Sequence, residues 1–145
     1  MLPSPRALID TGAILALVDR GDRWHEACKA AFRPELLPLA TSEAVLTECF
    51  HLLPAGGASS LWGFLRSRAI ALVPIGEDEV PELESLMKQY GDRPMDFADA
   101  TLVLLARRLG IRTILTVDHS DFETYRIQGR QPFRILPERS AVTRA

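Results

Sequence analysis

Cysteine is scarce in this chain of 145 residues, with Cys28 and Cys49 the only two. One pair cannot build the disulfide framework of a small secreted scaffold. Both residues fall in apolar helical patterns, which predicts buried free thiols in a reducing compartment. The three histidines, His25, His51 and His119, are scattered, so no zinc-ligand spacing is present. His25 and His51 read as solvated helix residues and His119 as a loop residue beside Asp118. No apolar run approaches the roughly 20 residues that span a bilayer. The start "MLPSPR" lacks a charged segment ahead of an apolar one, so no signal peptide is expected. A cytoplasmic chain with no membrane partner is the expectation. The formal charge is only -2, so electrostatics announce neither nucleic acid nor a lipid surface. There is no Walker loop and no GxGxxG string. No repeat, low-complexity segment or linker divides the chain, and its length suits one domain over 1–145.

What is present is ordinary for a globular interior, at 47% hydrophobic and 25% charged residues. Short apolar runs alternate with helical patterns. "RALID" (6–10) reads as a strand buried on both faces, and 12–19 as a short helical turn. A helix is expected over 23–32, with Asp22 as its N-cap, then a short strand in 36–41. The run 42–53 reads as a helix with its stripe at Val45, Cys49, Leu52 and Leu53, and 56–68 as another. A strand at 70–75 and a helix at 77–91 follow, Pro81 being tolerable near the helix start. The clearest helix is 96–110, capped by Asp96 and ended by Gly110, with strands expected at 112–117 and 133–136. This alternation implies an α/β sandwich around a mostly parallel sheet of four or five strands.

The string Asp10-Thr11-Gly12 matches the active-site triplet of acid proteases, but the match fails on context. Those enzymes are built from strands, whereas Gly12 here opens a helical pattern in a helix-rich chain, and a second triplet is lacking. A phosphatase of the haloacid-dehalogenase type is also disfavoured, because it needs an acid two residues after the first, where Gly12 stands.

Four acids suggest other chemistry. Asp10 ends the first strand and Asp118 ends the run "RTILTVD", which sets both on one edge of a parallel sheet, where ligands bind. Either is also explained as a cap or turn former. Glu48 borders the buried stripe of its helix, or is a half-exposed helix charge. Asp99 falls inside the apolar arc of the 96–110 helix. An ionised carboxylate there is costly unless paired or bound to a metal. The competing reading makes Asp96 the cap and Asp99 a complement to the helix dipole. If the four meet, their repulsion calls for a divalent cation, and oxygen-only donors favour Mg²⁺ or Mn²⁺. Such ions prepare water for attack on phosphodiesters.

Four segments, "LIDTGAILALVDRGDRWHEAC", "TSEAVLTECFHLL", "YGDRPMDFADATLVLLARRLG" and "ILTVDHSDF", carry a resemblance to the PIN-domain ribonucleases, most closely to the VapC-type toxins of toxin–antitoxin pairs. The segments stand in that family's order and cover nearly the whole chain. The resemblance implies a PIN-like α/β/α sandwich. It implies that Asp10, Glu48 and Asp99 are the core metal-binding acids and Asp118 the fourth, with Asp121 able to substitute or assist and Asp96 auxiliary. Thr11 resembles the small hydroxyl residue that helps fix the site, and Gly12 departs from the Ser or other small residue of many relatives. The implied activity is Mg²⁺- or Mn²⁺-dependent endoribonuclease action on an RNA substrate, in a protein that is usually a homodimer and is silenced by a cognate antitoxin.

Phosphate contacts are expected from Arg107, Arg108, Arg112, Arg126, Arg130, Arg134 and Arg139, each of which is equally explained as solvated surface. The helices at 42–53 and 56–68 suggest a groove for a partner helix anchored by Trp62 and Phe64, unless these are core or dimer contacts. The alternative function is a PIN-like module that binds RNA or protein without catalysis. The full acid set argues against it.

Overall fold

A computed structural model describes residues 2–93 and 95–142. Five three-residue strands form the sheet: β1 (Ala7–Ile9), β2 (Leu39–Thr41), β3 (Ile70–Leu72), β4 (Thr113–Leu115) and β5 (Arg134–Leu136). Their order is β3-β2-β1-β4-β5, and every neighbouring pair is parallel. The three interior strands are almost wholly buried, as their unbroken apolar runs require. The chain winds outward from β1 through β2 to β3, then returns to place β4 on the other side of β1. The crevice beyond the carboxyl ends of β1 and β4 is therefore the switch point at which such sheets accept ligands.

Seven α-helices flank the sheet among the described residues: α1 (Thr11–Val18), α2 (His25–Ala31), α3 (Glu43–Leu52), α4 (Gly57–Arg66), α5 (Val80–Gln89), α6 (Phe97–Leu109) and α7 (His119–Thr124). Helix α1 packs against α2, α3 and α4, while α6 packs against α3 and α5. The start of α6 is fixed by Asp96, whose side chain accepts from the Asp99 amide at 2.8 Å, and its end by Gly110 in the left-handed region at φ 68°. All nine residues from Ala98 to Ala106 are buried. Helix α6 is thus enclosed on nearly every side rather than amphipathic, and truncating a core leucine such as Leu102 to alanine would cost about 2–5 kcal/mol.

Several expectations need correction. Asp22 does not cap α2. Its Oδ1 accepts from the Trp24 amide at 2.8 Å, closing an Asx turn that delays the helix to His25. The α3 stripe is Val45, Leu46 and Cys49, and Leu52, the last residue of the helix, is 58% exposed. His25 is not a solvated residue, because its Nδ1 hydrogen-bonds the Ala16 carbonyl at 2.7 Å and its side chain is only 12% exposed. His119 opens α7, which the turn-forming residues of "VDHSD" concealed, and it is buried. Cys28 and Cys49 are free and buried as expected, and burial pushes both thiols up to about 12. No described helix is long and apolar enough to cross a membrane.

Candidate active site

Asp10 follows β1 directly and caps α1. Its Oδ1 accepts from the Thr11 amide at 2.7 Å, and its Oδ2 accepts from the Thr116 hydroxyl at 3.0 Å. Thr116 leads out of β4, so one side chain ties together the ends of the two adjacent strands at the switch point. The hydroxyl of Thr11 donates to Glu48 Oε1 at 2.7 Å. Thr11 therefore links Asp10, through its amide, to Glu48 on α3.

Asp99 stands on the first turn of α6, buried to 7% exposure, and Asp10 has the same exposure. Asp99 Oδ2 accepts from the phenol of Tyr125, itself fully buried. Asp118 caps α7, its Oδ1 accepting from the Asp121 amide at 3.3 Å. Asp121 Oδ1 accepts from Arg93 at 2.6 Å.

The electrostatics follow from burial. Asp10 is pushed up to about 7 by desolvation, with repulsion from Asp118 and Asp96 adding to it and the Thr11 and Thr116 hydrogen bonds opposing it. Asp99 rises to about 8, again chiefly by desolvation, then by the charges of Asp10 and Asp96, against the pull of Tyr125. Asp118 is also raised, by burial and then by its carboxyl neighbour Asp121, with Arg93 opposing. Burial and the Asp99 hydrogen bond hold the Tyr125 phenol protonated far beyond neutrality. Asp10, Asp96, Asp99, Asp118 and Asp121 thus sense one another, and Glu48 joins them through Thr11. All the acids singled out in the sequence occupy one region.

The donor set is oxygen-only, which suits Mg²⁺ or Mn²⁺. Among the described residues, Asp10 and Asp99 are buried with no cationic side chain paired to them, the condition that a bound cation relieves. No three His, Cys, Asp or Glu side chains among the described residues stand close enough together in this structure to hold one ion.

Sequence reasoning missed Thr116, Tyr125 and Arg93. A hydroxyl two residues before Asp118 in "TVD" was a usable signal for Thr116. The other two act through contacts 26 and 28 residues away in sequence, which no local pattern reveals. Gly12 gains a reason. A Cβ there would lie 2.6 Å from Val117 Cγ2, inside any allowed contact. The chain following β4 packs directly against the start of α1.

A cleft of about 960 Å³ opens beside Glu48 and Asp96, with Val80 and Phe97 in its apolar wall and Glu43 and Glu77 on its rim. The groove expected near Trp62 exists, formed with Phe50, Leu46, Leu65 and Leu72. Phe64 does not line it, because its ring packs on Phe32 at 5.2 Å instead. Of the arginines considered for phosphate, Arg107 is taken up by Glu82 and the Ile127 carbonyl, and Arg108 by Glu79 and the Pro74 carbonyl. Arg126 donates to the carbonyls of Glu123, Thr124 and Tyr125.

The PIN-domain family model matches residues 7–127, and the chain belongs to that family. Within it the chain is a ribonuclease of the VapC type. It is 31% identical to ribonuclease VapC26 of Mycobacterium tuberculosis over 134 residues, covering 90% of this chain and 99% of that protein. The crystal structure of Mycobacterium tuberculosis VapC20, described as a sarcin–ricin loop cleaving toxin, shares the fold at a TM-score of 0.69 and 23% identity, over 79% of this chain and 93% of that one.

Proposed function

We propose that this VapC-type ribonuclease is a Mg²⁺- or Mn²⁺-dependent endoribonuclease, the cytoplasmic toxin of a toxin–antitoxin pair, acting at Asp10, Glu48, Asp99 and Asp118. The observation that carries the reading is the burial of Asp10 and Asp99 beside each other's charge, with both carboxyls pushed to about 7 and 8. A cation is the natural complement to two such groups. When bound, a divalent ion supplies an activated water and stabilises the departing oxygen of a phosphodiester.

The chain's own residues set the geometry for that chemistry. Asp10 is held at both oxygens by the Thr11 amide and the Thr116 hydroxyl, so its orientation is fixed before any ligand arrives. Tyr125 occupies one oxygen of Asp99 and leaves the other directed by it. Thr11 aims Glu48. Asp118 accepts from the Asp121 amide, and Arg93 restrains the Asp121 carboxyl, which makes Asp118 the better fourth ligand and Asp121 an assistant. Asp96 serves as the α6 cap and adds negative charge.

Control by an antitoxin follows the same electrostatics. A partner Arg or Lys entering the acid cluster would form charge-assisted hydrogen bonds where the ion belongs. The exposed Phe50–Trp62 pair, with ring centroids 5.0 Å apart, offers an apolar anchor for such a partner or for a second copy.

The test is cleavage of single-stranded and looped RNA by purified protein. Cutting is expected with Mn²⁺, none with EDTA, and none from Asp10→Ala or Glu48→Ala. RNA binding without cleavage in the wild type would favour the non-catalytic alternative. Cleavage that persists in both variants would remove these acids from the mechanism.

A further inference from the structure

Among the cavities lined by described residues, one beside Glu48 and one beside Asp118 adjoin the acid cluster, and their chemistry differs. The large cleft beside Glu48 is rimmed by Glu43, Glu77 and Asp96, the wrong sign for the backbone of RNA. The second, of about 490 Å³, reaches Asp118 and is walled by Arg23, Trp24, Val117, His119 and Arg139. It sets two guanidinium groups and an aromatic face next to an acid of the site.

The aromatic face is firmly built. Trp24 is half-buried, with its ring centroid 5.2 Å from that of His119 and tilted by 36°. His119 Nε2 donates to the Pro137 carbonyl at 2.8 Å, which locks the imidazole in place as a backing for the indole. The Arg23 guanidinium lies over the indole, 5.7 Å from its centroid. Arg23 also donates to the Val142 carbonyl at 3.3 Å, a long bond to an exposed turn. Arg139 pairs with Glu123 at 2.5 Å, yet its side chain remains 57% exposed.

We propose that this cavity is a nucleotide subsite, in which one base of single-stranded RNA stacks on Trp24 and the phosphate adjoining the cut is held by Arg23 and Arg139. It rests on the ribonuclease reading above and adds a location for the substrate. Stacking on an aromatic face is available to every base, and arginine completes it by cation–π and phosphate contacts. In the free protein the Arg23 guanidinium occupies the indole face, and RNA transfers it to phosphate. Asp118 marks the end of the cavity where the chain of RNA enters the acid cluster. The subsite also answers the charge problem, because a chain of net charge -2 with an acidic centre needs a local cationic foothold for a polyanion.

Two measurements test it. The protein has two tryptophans, so Trp62→Phe leaves Trp24 as the only indole reporter. In that protein, carrying Asp99→Asn to prevent cutting, a single-stranded oligoribonucleotide should quench Trp24 emission with Mg²⁺ present. In protein with the site acids intact, Trp24→Ala and Arg23→Ala should raise KM for RNA about tenfold with kcat little changed, and Trp24→Phe should recover most of the loss. Because Trp24→Ala also removes packing, Arg23→Ala and the unmutated Trp24 emission keep the test valid if that variant fails to fold. RNA cleavage with constant Trp24 emission and with KM unchanged in Arg23→Ala overturns the subsite and leaves the ribonuclease reading standing. If wild-type protein cuts no RNA, the ribonuclease reading falls and the subsite falls with it.

Discussion

The phenol of Tyr125 donates a 2.8 Å hydrogen bond to Asp99 Oδ2, joining the segment after α7 to the first turn of α6. Both groups are buried, and the phenol's other neighbours are the rings of Tyr90 and Phe122, at 5.0 and 5.2 Å. Tyr125 is therefore the hydrogen-bonding wall that holds Asp99 in a low-dielectric setting.

Replacing Tyr125 with Phe keeps the packing and deletes the donor. Asp99 should become still harder to ionise, and the protein should lose about 1–3 kcal/mol, the usual cost of leaving a buried polar group unpartnered. Titration calorimetry should show weaker Mn²⁺ binding at pH 7, with the deficit shrinking as pH rises and Asp99 ionises regardless. A binding constant equal to wild type at every pH would show that Tyr125 does not position this carboxyl.

The raised carboxyls make a prediction about pH. Asp10 and Asp99 stand at about 7 and 8 in the folded chain, against 3.8 for a free side chain. Between about pH 4 and 8 the native state therefore binds more protons than the unfolded one, and stability falls as pH rises through that window. In EDTA the melting temperature should drop from pH 5 to pH 8.5 more steeply for wild type than for Asp99→Asn. Saturating Mg²⁺ should flatten or reverse the wild-type slope, because ion binding releases the same protons. Identical slopes in EDTA would contradict the burial of an uncompensated Asp99.

Gly12 packs where a Cβ would meet Val117 Cγ2 at 2.6 Å. Gly12→Ala should destabilise by about 1–3 kcal/mol through overpacking. It should also reduce cleavage, because Val117 lies between Thr116 and Asp118. In a Val117→Ala background the clash disappears, and the same change should become neutral or stabilising by up to about 1 kcal/mol from helix propensity. Denaturant melts of the four proteins decide it. A Gly12→Ala effect that is the same in both backgrounds would rule out the contact as its cause.

Much of this architecture is written locally. The cap at Asp96, the stop at Gly110 and the apolar density between them mark α6 in the sequence, and Asp99 stands out there because an acid interrupts buried positions. Asp10 was legible from its place directly after a buried strand. Asp118 was legible only in part. It was expected to end the β4 strand, but β4 stops at Leu115 and Asp118 caps α7. That helix has six residues and begins among turn formers, so periodicity had too little length to register. Tyr125 and Arg93 carry no local mark, since their partners are distant in sequence. His25 was misread because its helical position faces α1, whose Ala16 carbonyl accepts its proton. Such a pairing depends on how two helices meet, which spacing alone does not determine.

On the proposed reading, Asp10, Glu48, Asp99 and Asp118 form a divalent-cation site strained in the ion's absence. Thermal melting of wild type and Asp99→Asn, each with EDTA and with Mn²⁺, tests it most directly. Ion at a hundredfold excess over Kd adds about 2.7 kcal/mol to the state that binds it. The wild-type melting temperature should rise by several degrees. The Asp99→Asn protein, folded but lacking that carboxyl as a ligand, should show no rise. An equal rise in both proteins would place the ion elsewhere and remove Asp99 from its site.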